Sequence, residues 1–199
     1  MKRRCVQAIL CALLFAPLQA SAAITGDGYD SDLARAVRDA TERYRLVVWA
    51  EHDGYVQSTD YIAAFGTMYT NHALFDPKSL STPTVLVYDL AGRLVACGYQ
   101  FLDRSAIFPA LAVPDVSGWY DIPRHLHYNI IVNGTTYYAQ HAWASDQQPT
   151  PALLIKMNLM PADATLIYAF VHPVTRAILI WAWTPNPSGL FETDNPALP

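Results

Sequence analysis

Charge is scarce in this chain. Asp, Glu, Lys and Arg make up 15% of its 199 residues, and acidic side chains outnumber basic ones 17 to 13. Three of those bases, Lys2, Arg3 and Arg4, fall in the first four residues, so the rest is more acidic than the formal net charge of −4 implies. Beyond them the only lysines are Lys78 and Lys156, and neither stands in a basic cluster. Nucleic-acid binding needs clustered cations to neutralise phosphates, so no nucleic-acid partner is expected. Cysteine is equally sparse: Cys5 and Cys11 lie near the start and Cys97 is alone in the body of the chain. No apolar run reaches the roughly 20 residues that a membrane-spanning helix requires. Motifs with a dependable mechanism are also missing: there is no His-Glu-x-x-His, no Gly-x-Ser-x-Gly and no pair of cysteine ligands.

What is present begins with Met1–Ala22. Lys2, Arg3 and Arg4 precede an apolar stretch from Val6 to Leu18, and Ala20-Ser21-Ala22 follows with the small-x-small pattern a signal peptidase accepts. This is the anatomy of a secretory signal, too short for a permanent membrane helix, and it predicts a periplasmic or secreted protein. Its removal would take Cys5 and Cys11 with it and leave Cys97 without a partner for an intramolecular disulfide. Cys97 lies in the apolar run Leu94–Tyr99, where a small soft side chain is expected to be buried. Residues 23–184 are expected to form a single domain, with 185–199, rich in proline, as an irregular tail that is draped or frayed.

Ser31 or Asp32 can cap a helix running to about Arg45, with Leu33, Val37, Ala40 and Tyr44 at helical spacing. A shorter helix is expected over Thr59–Tyr69. The remainder reads as β structure: a buried strand at Leu46–Glu51 and three hairpins. The first joins Thr84–Tyr88 to Leu94–Phe101. The second joins His125–Val132 to Thr135–Trp143 through Asn133-Gly134, the strongest short-range hairpin signal in the chain. The third joins Thr165–His172 to Ala177–Trp183, which are apolar at nearly every position, as in strands covered on both faces. Residues 103–123 read as irregular. The expected fold class is α+β, an N-terminal helix packed on a largely antiparallel sheet built from three β-hairpins.

Two segments bear a family resemblance. Val47-Val48-Trp49-Ala50-Glu51-His52-Asp53-Gly54 resembles the strand and turn that carry the active site of thioredoxin-like proteins. Ser81-Thr82-Pro83-Thr84-Val85-Leu86-Val87-Tyr88-Asp89, with Gly92, is similar to that family's cis-proline strand and following hairpin. The resemblance covers about a quarter of the chain and implies a thioredoxin-like core. Asp53 and Val56 stand where the family has its cysteine pair, and without a thiolate no thiol chemistry follows.

The sharpest local feature is His125-Leu126-His127. In a strand, residues two apart point to one side, so both imidazoles share a face with Asn129, opposite Leu126, Tyr128, Ile130 and Val132. Paired imidazoles are a common start to a zinc or copper site, because neutral ring nitrogens ligate these metals well. His141 joins only in one register. A two-residue turn at Asn133-Gly134 pairs Val132 with Thr135 and sets His127 opposite Gln140, leaving His141 across from Leu126. A three-residue loop pairs Ile131 with Thr135 and sets His125 opposite His141. The first has the stronger intrinsic turn and is preferred. His172, just before a turn, is a further metal candidate supplied by a neighbouring hairpin, whereas His72 lies in a loop-like stretch and offers no pattern. Set against all this, a histidine among aromatics is commonly a core residue satisfied by backbone carbonyls.

Glu51, His52 and Asp53 form a second ionisable knot and are the weak catalytic candidates: His52 as a base oriented by a carboxylate. No nucleophile is placed beside them, and an exposed acidic turn is the commoner explanation. Of the aromatic pairs that could stack on a sugar, only Trp119-Tyr120 is expected to be exposed. These residues lead to one expectation, an exported, non-catalytic binding protein that holds a metal or polar ligand through the His-x-His strand. An envelope hydrolase using a histidine cluster, and an inhibitor or immunity-type protein that binds a protein partner, are the alternatives.

Overall fold

The structure, a computed structural model, describes residues 28–102, 118–143 and 149–199; of residues 139–141 and 143 it describes the main chain only. The signal-like segment Met1–Ala22 lies outside these residues. No helix among them is long and apolar enough to cross a membrane.

Helix α1 (Asp32–Thr41) begins where its cap is expected: the Ser31 hydroxyl accepts the Ala34 N–H at 3.2 Å. Ala34, Val37 and Thr41 recur at helical spacing and are buried, so one stripe faces the core. A 3-10 turn (Glu42–Arg45) follows, and then a short helix α2 (Val47–His52) in place of the expected strand. The reason is burial. Leu46, Val48 and Trp49 are exposed and only Ala50 is enclosed, so no sheet covers this run. Five apolar residues, Leu46–Ala50, have no readable period, and here local hydrogen bonding closes Val47–His52 as a helix. The resemblance to a thioredoxin-like strand ends there, and no cis peptide bond occurs among the described residues, so Pro83 is trans.

The expected helix over Thr59–Tyr69 is also absent. Ile62–Gly66 closes as a tight turn, with Ala64 at φ 61° and Gly66 at φ 111°. A Cβ on Gly66 would sit 2.6 Å from the Tyr88 carbonyl oxygen, so only glycine lets the chain enter the sheet at this point. Strands β1 (Val56–Gln57), β2 (Thr67–Thr70), β3 (Val85–Tyr88), β4 (Leu94–Phe101), β5 (Tyr120–Ile122) and β9 (Thr175–Ile180) form one antiparallel sheet in the order β1-β2-β3-β4-β9-β5. Strands β6 (His125–Val132), β7 (Thr135–Trp143) and β8 (Thr165–His172) form a second, in the order β7-β6-β8, and helix α3 (Pro151–Lys156) lies between β7 and β8 in the chain. The α+β class holds: an N-terminal helix packs on mostly antiparallel sheet.

Alternation along the strands divides the core. Leu86, Tyr88, Cys97, Tyr99, Ile178 and Ile180 face α1 and α2. Val85, Val87, Ala96, Leu179 and Trp181 line the other face. Both faces of β3, β4 and β9 are therefore covered, which is why these strands are apolar throughout. Cys97 is buried, as expected, with its thiol 3.7 Å from the Thr41 hydroxyl.

Two of the three expected hairpins form, β3–β4 and β6–β7. The third does not. β8 pairs with β6 and β9 pairs with β4 and β5, so the chain passes from one sheet to the other between His172 and Thr175. It crosses once more between Ile122 and His125, out of a segment read from sequence as irregular. Pro123 and Pro173 stand at the two crossings; proline has no N–H to continue a ladder, which suits it to the last step out of a sheet. The tail has no helix or strand, yet it is not frayed. Leu190, Phe191 and Leu198 are buried, Trp181 N–H donates to the Leu190 carbonyl at 2.9 Å, and Asn195 N–H donates to the Ala64 carbonyl at 2.6 Å.

Candidate functional site

The crossings bring histidines together. His125 begins β6, His172 ends β8, and the two are cross-strand neighbours. Their rings stack with centroids 4.9 Å apart and planes 16° from parallel. Each is fixed by the proline beside it: Nδ1–H of His125 donates to the Pro123 carbonyl at 2.7 Å, and Nδ1–H of His172 to the Pro173 carbonyl at 2.6 Å. That choice of tautomer leaves Nε2 of both rings as the acceptor nitrogen. His125 Nε2 lies 2.6 Å from Nε2 of His127, whose proton it accepts, and His172 Nε2 lies 3.3 Å from Oε1 of Gln100 on β4. His127 and His172 are buried.

The expected shared face is found. His125, His127 and Asn129 point one way along β6, while Leu126, Tyr128 and Ile130 pack with Leu154 of α3 and Met160. The preferred turn is also found: Val132 pairs with Thr135, with positive φ at Asn133 (50°) and Gly134 (79°), as a type I′ turn demands. The register derived from it fails farther out. Between the pairs Ile130–Tyr137 and Tyr128–Gln140, β7 has one residue more than β6, a bulge that moves the pairing by one and sets His127 opposite His141. The side chain of His141 is not among those described.

A fourth imidazole joins from a segment with no recognisable pattern. His72 lies in a 3-10 turn (His72–Leu74) after β2. Its ring stacks on Phe170 at 3.5 Å between centroids and meets His172 edge-on at 6.1 Å, and its Nδ1 is hydrogen-bonded to the Tyr168 hydroxyl. Long-range contacts with Phe170 and Tyr168 of β8 place it, so nothing in its neighbours along the chain could have found it. Burial, and then the neighbouring histidines, hold His72 down to about 3. His172 is held at about 4, chiefly by burial, against the opposing pull of the Pro173 carbonyl. Both are neutral at ordinary pH.

These rings form one end of a cleft of about 320 Å³ between the two sheets. Its floor is the face of the larger sheet that carries Val85, Gly98, Ala177 and Leu179, and Ile62, Phe65 and Met68 wall it. Among the described residues no three His, Cys, Asp or Glu side chains are arranged to hold a metal ion. The His125–His127 contact is one reason: two nitrogens on a tetrahedral zinc ion sit roughly 3.3 Å apart, given bonds of about 2.0–2.1 Å.

Glu51, His52 and Asp53 are elsewhere, at the end of α2. Asp53 accepts two hydrogen bonds from the Arg43 guanidinium, at 2.7 and 2.8 Å, and one from His52 Nδ1 at 2.9 Å. Those partners, Arg43 first, hold its carboxyl well below the usual range. His52 is exposed, and none of the three lines the cleft. Trp119 and Tyr120 are not exposed as expected: Trp119 packs on the core at Phe101, and Tyr120 is partly buried in β5. Comparison of the chain with protein-family models, curated proteins and solved structures finds no match.

Proposed function

We propose that this chain is an exported, non-catalytic binding protein whose ligand is held at the imidazole end of the cleft between the sheets. Export, to a periplasm or beyond, rests on the signal-like anatomy of Met1–Ala22. The observation that carries the binding reading is convergence: His72, His125, His127 and His172 come from three separated segments to one cleft end. A recess with apolar walls and a few convergent polar groups is the usual form of a small-ligand site. Against catalysis stands the placement of candidate nucleophiles. The Ser58 hydroxyl is engaged with the Met68 carbonyl and Thr70, and Cys97 is enclosed on the helix-covered side of β4.

A zinc or copper ion is the second reading. It is favoured by the Nδ1–H groups of His125 and His172, each given to a main-chain carbonyl, the outer contact that orients ligating imidazoles. The test takes the exported chain as purified, with elemental analysis, mass spectrometry of extracted small molecules, and titration with zinc and copper. One bound species per chain is expected, lost in the double variant His125→Ala, His127→Ala. A protein that carries nothing and titrates nothing, or a double variant that binds as wild type does, would overturn the reading.

A further inference from the structure

We infer that the cleft admits a neutral amphiphile, with an apolar body over the larger sheet and an O–H or N–H donor reaching the imidazole end. This deepens the binding reading above and rests on it. The floor is hollow because its side chains are small. Pairing places Ala177 between Gln100 and Tyr120, where it contributes a single methyl group, while Gly98, between Val85 and Leu179, gives its room to Val85, whose Cβ would lie 2.9 Å from a Cβ at that position. Ile62, Phe65 and Met68 complete an apolar enclosure.

Chemistry at the two ends sets the head group. No lysine or arginine occurs among the described lining residues, and the one charged side chain is the carboxylate Asp194. An anion would thus be taken from water with no counter-charge, a cost that excludes carboxylates and sulfonates. At the other end the donors are already committed. His125 and His172 give Nδ1–H to Pro123 and Pro173, and His172 Nε2 is hydrogen-bonded to the Gln100 side chain only at 3.3 Å, a long contact that a donor on the ligand can replace. A buried acceptor gains from a donor and from little else. The volume, about 320 Å³, is at the lower end of the roughly 300–1,000 Å³ typical of small-ligand pockets, which suits a body of two or three rings and not a peptide or polysaccharide.

A matched pair of dyes tests this. N-phenyl-1-naphthylamine is neutral with a single N–H; 8-anilinonaphthalene-1-sulfonate adds a sulfonate to the same rings. The neutral dye is expected to bind once per chain with enhanced fluorescence, and the sulfonate at least about tenfold more weakly. Ala177→Leu, which fills the floor, is expected to weaken the neutral dye by at least about tenfold; Leu179→Phe serves the same purpose should the first variant not fold. His172→Phe keeps ring and shape, removes the acceptor, and is expected to weaken binding several-fold. Equal binding of both dyes, no binding of the neutral one, or indifference to the filled floor would overturn the inference. If neither dye binds while a metal or an extracted molecule still depends on His125 and His127, the ligand class is wrong and the site stands. If nothing binds by any measure, both fall.

Discussion

At the scale of single residues, position decides chemistry more than identity does. Cys97 is the one thiol outside the signal-like segment, and its surroundings make it inert: it has no exposed surface, and burial pushes the thiol up to about 12. Only the thiolate is nucleophilic, so a thiol reagent at about pH 8 should leave the native protein unlabelled and modify it once denaturant is added. Prompt labelling of native protein would show that β4 opens without global unfolding. Ser31 is a second instance. Its hydroxyl satisfies a main-chain donor that α1 cannot, so Ser31→Ala should cost about 1 kcal/mol in urea unfolding, and Ser31→Asp should recover most of it. Asp53, by contrast, forms a well-aligned pair with Arg43 at an exposed helix end, where water screens the charges and the pair adds little to stability. Strong hydrogen bonding there marks a local clasp, while the partly buried imidazoles mark the cleft.

At the scale of elements, the docking of the smaller sheet against β4 and the His72 turn depends on neutral rings. His72 and His172 are held near 3 and 4 in the fold, whereas an imidazole in an unfolded chain titrates near 6.5. Below that value the unfolded state binds more protons than the native one. Their contribution to stability is therefore complete above about pH 6.5 and is lost as the pH falls towards 4 and then 3. Each can cost up to about 1.4 kcal/mol per pH unit within its window. Urea midpoints between about pH 7 and about pH 4.5 should fall steadily. His72→Phe, which can keep the stack on Phe170 and removes one titration, should flatten that fall; equal slopes would mean that protonation does not govern the docking. The elements that make this contact were unevenly legible. The face shared by His125 and His127 follows from a period of two, and the Asn133-Gly134 turn from its required dihedrals. The bulge opposite Asn129 did not, because it is set by the pairing of both neighbours. Nor did the parting of β8 from β9: two apolar runs around Pro173 read as a hairpin whether or not they share a sheet. Leu46–Glu51 misleads for a related reason, since its five consecutive apolar residues carry no period to separate strand from helix.

At the scale of the whole molecule, the irregular tail holds together what the sheets leave open. Leu190 and Phe191 enter the core beneath the helices, while Leu198 joins Val85, Val87, Leu179 and Trp181 on the opposite face. One segment thus closes both cores, and Asp194, on the same segment, reaches the rim of the cleft. Proline-rich composition suggested fraying because such a chain cannot form a ladder. It does not need one, since its main chain bonds to Trp181 through Leu190 and Glu192 and to Ala64 through Asn195 and Pro199, and three apolar side chains complete the attachment. Burying each of these is worth about 1.5–3 kcal/mol as an upper estimate, and their sum is comparable with the roughly 5–15 kcal/mol that keeps a domain folded. A chain ending at Thr184 should accordingly be unfolded, or have a much lower urea midpoint by tryptophan fluorescence. Phe191→Ala, 7% exposed, should cost about 3 kcal/mol in the intact chain, and Leu198→Ala somewhat less. The two point variants act on opposite faces of one sheet and do not touch, so their effects should add; a large departure from additivity would mean that the tail detaches as a unit once either anchor is lost.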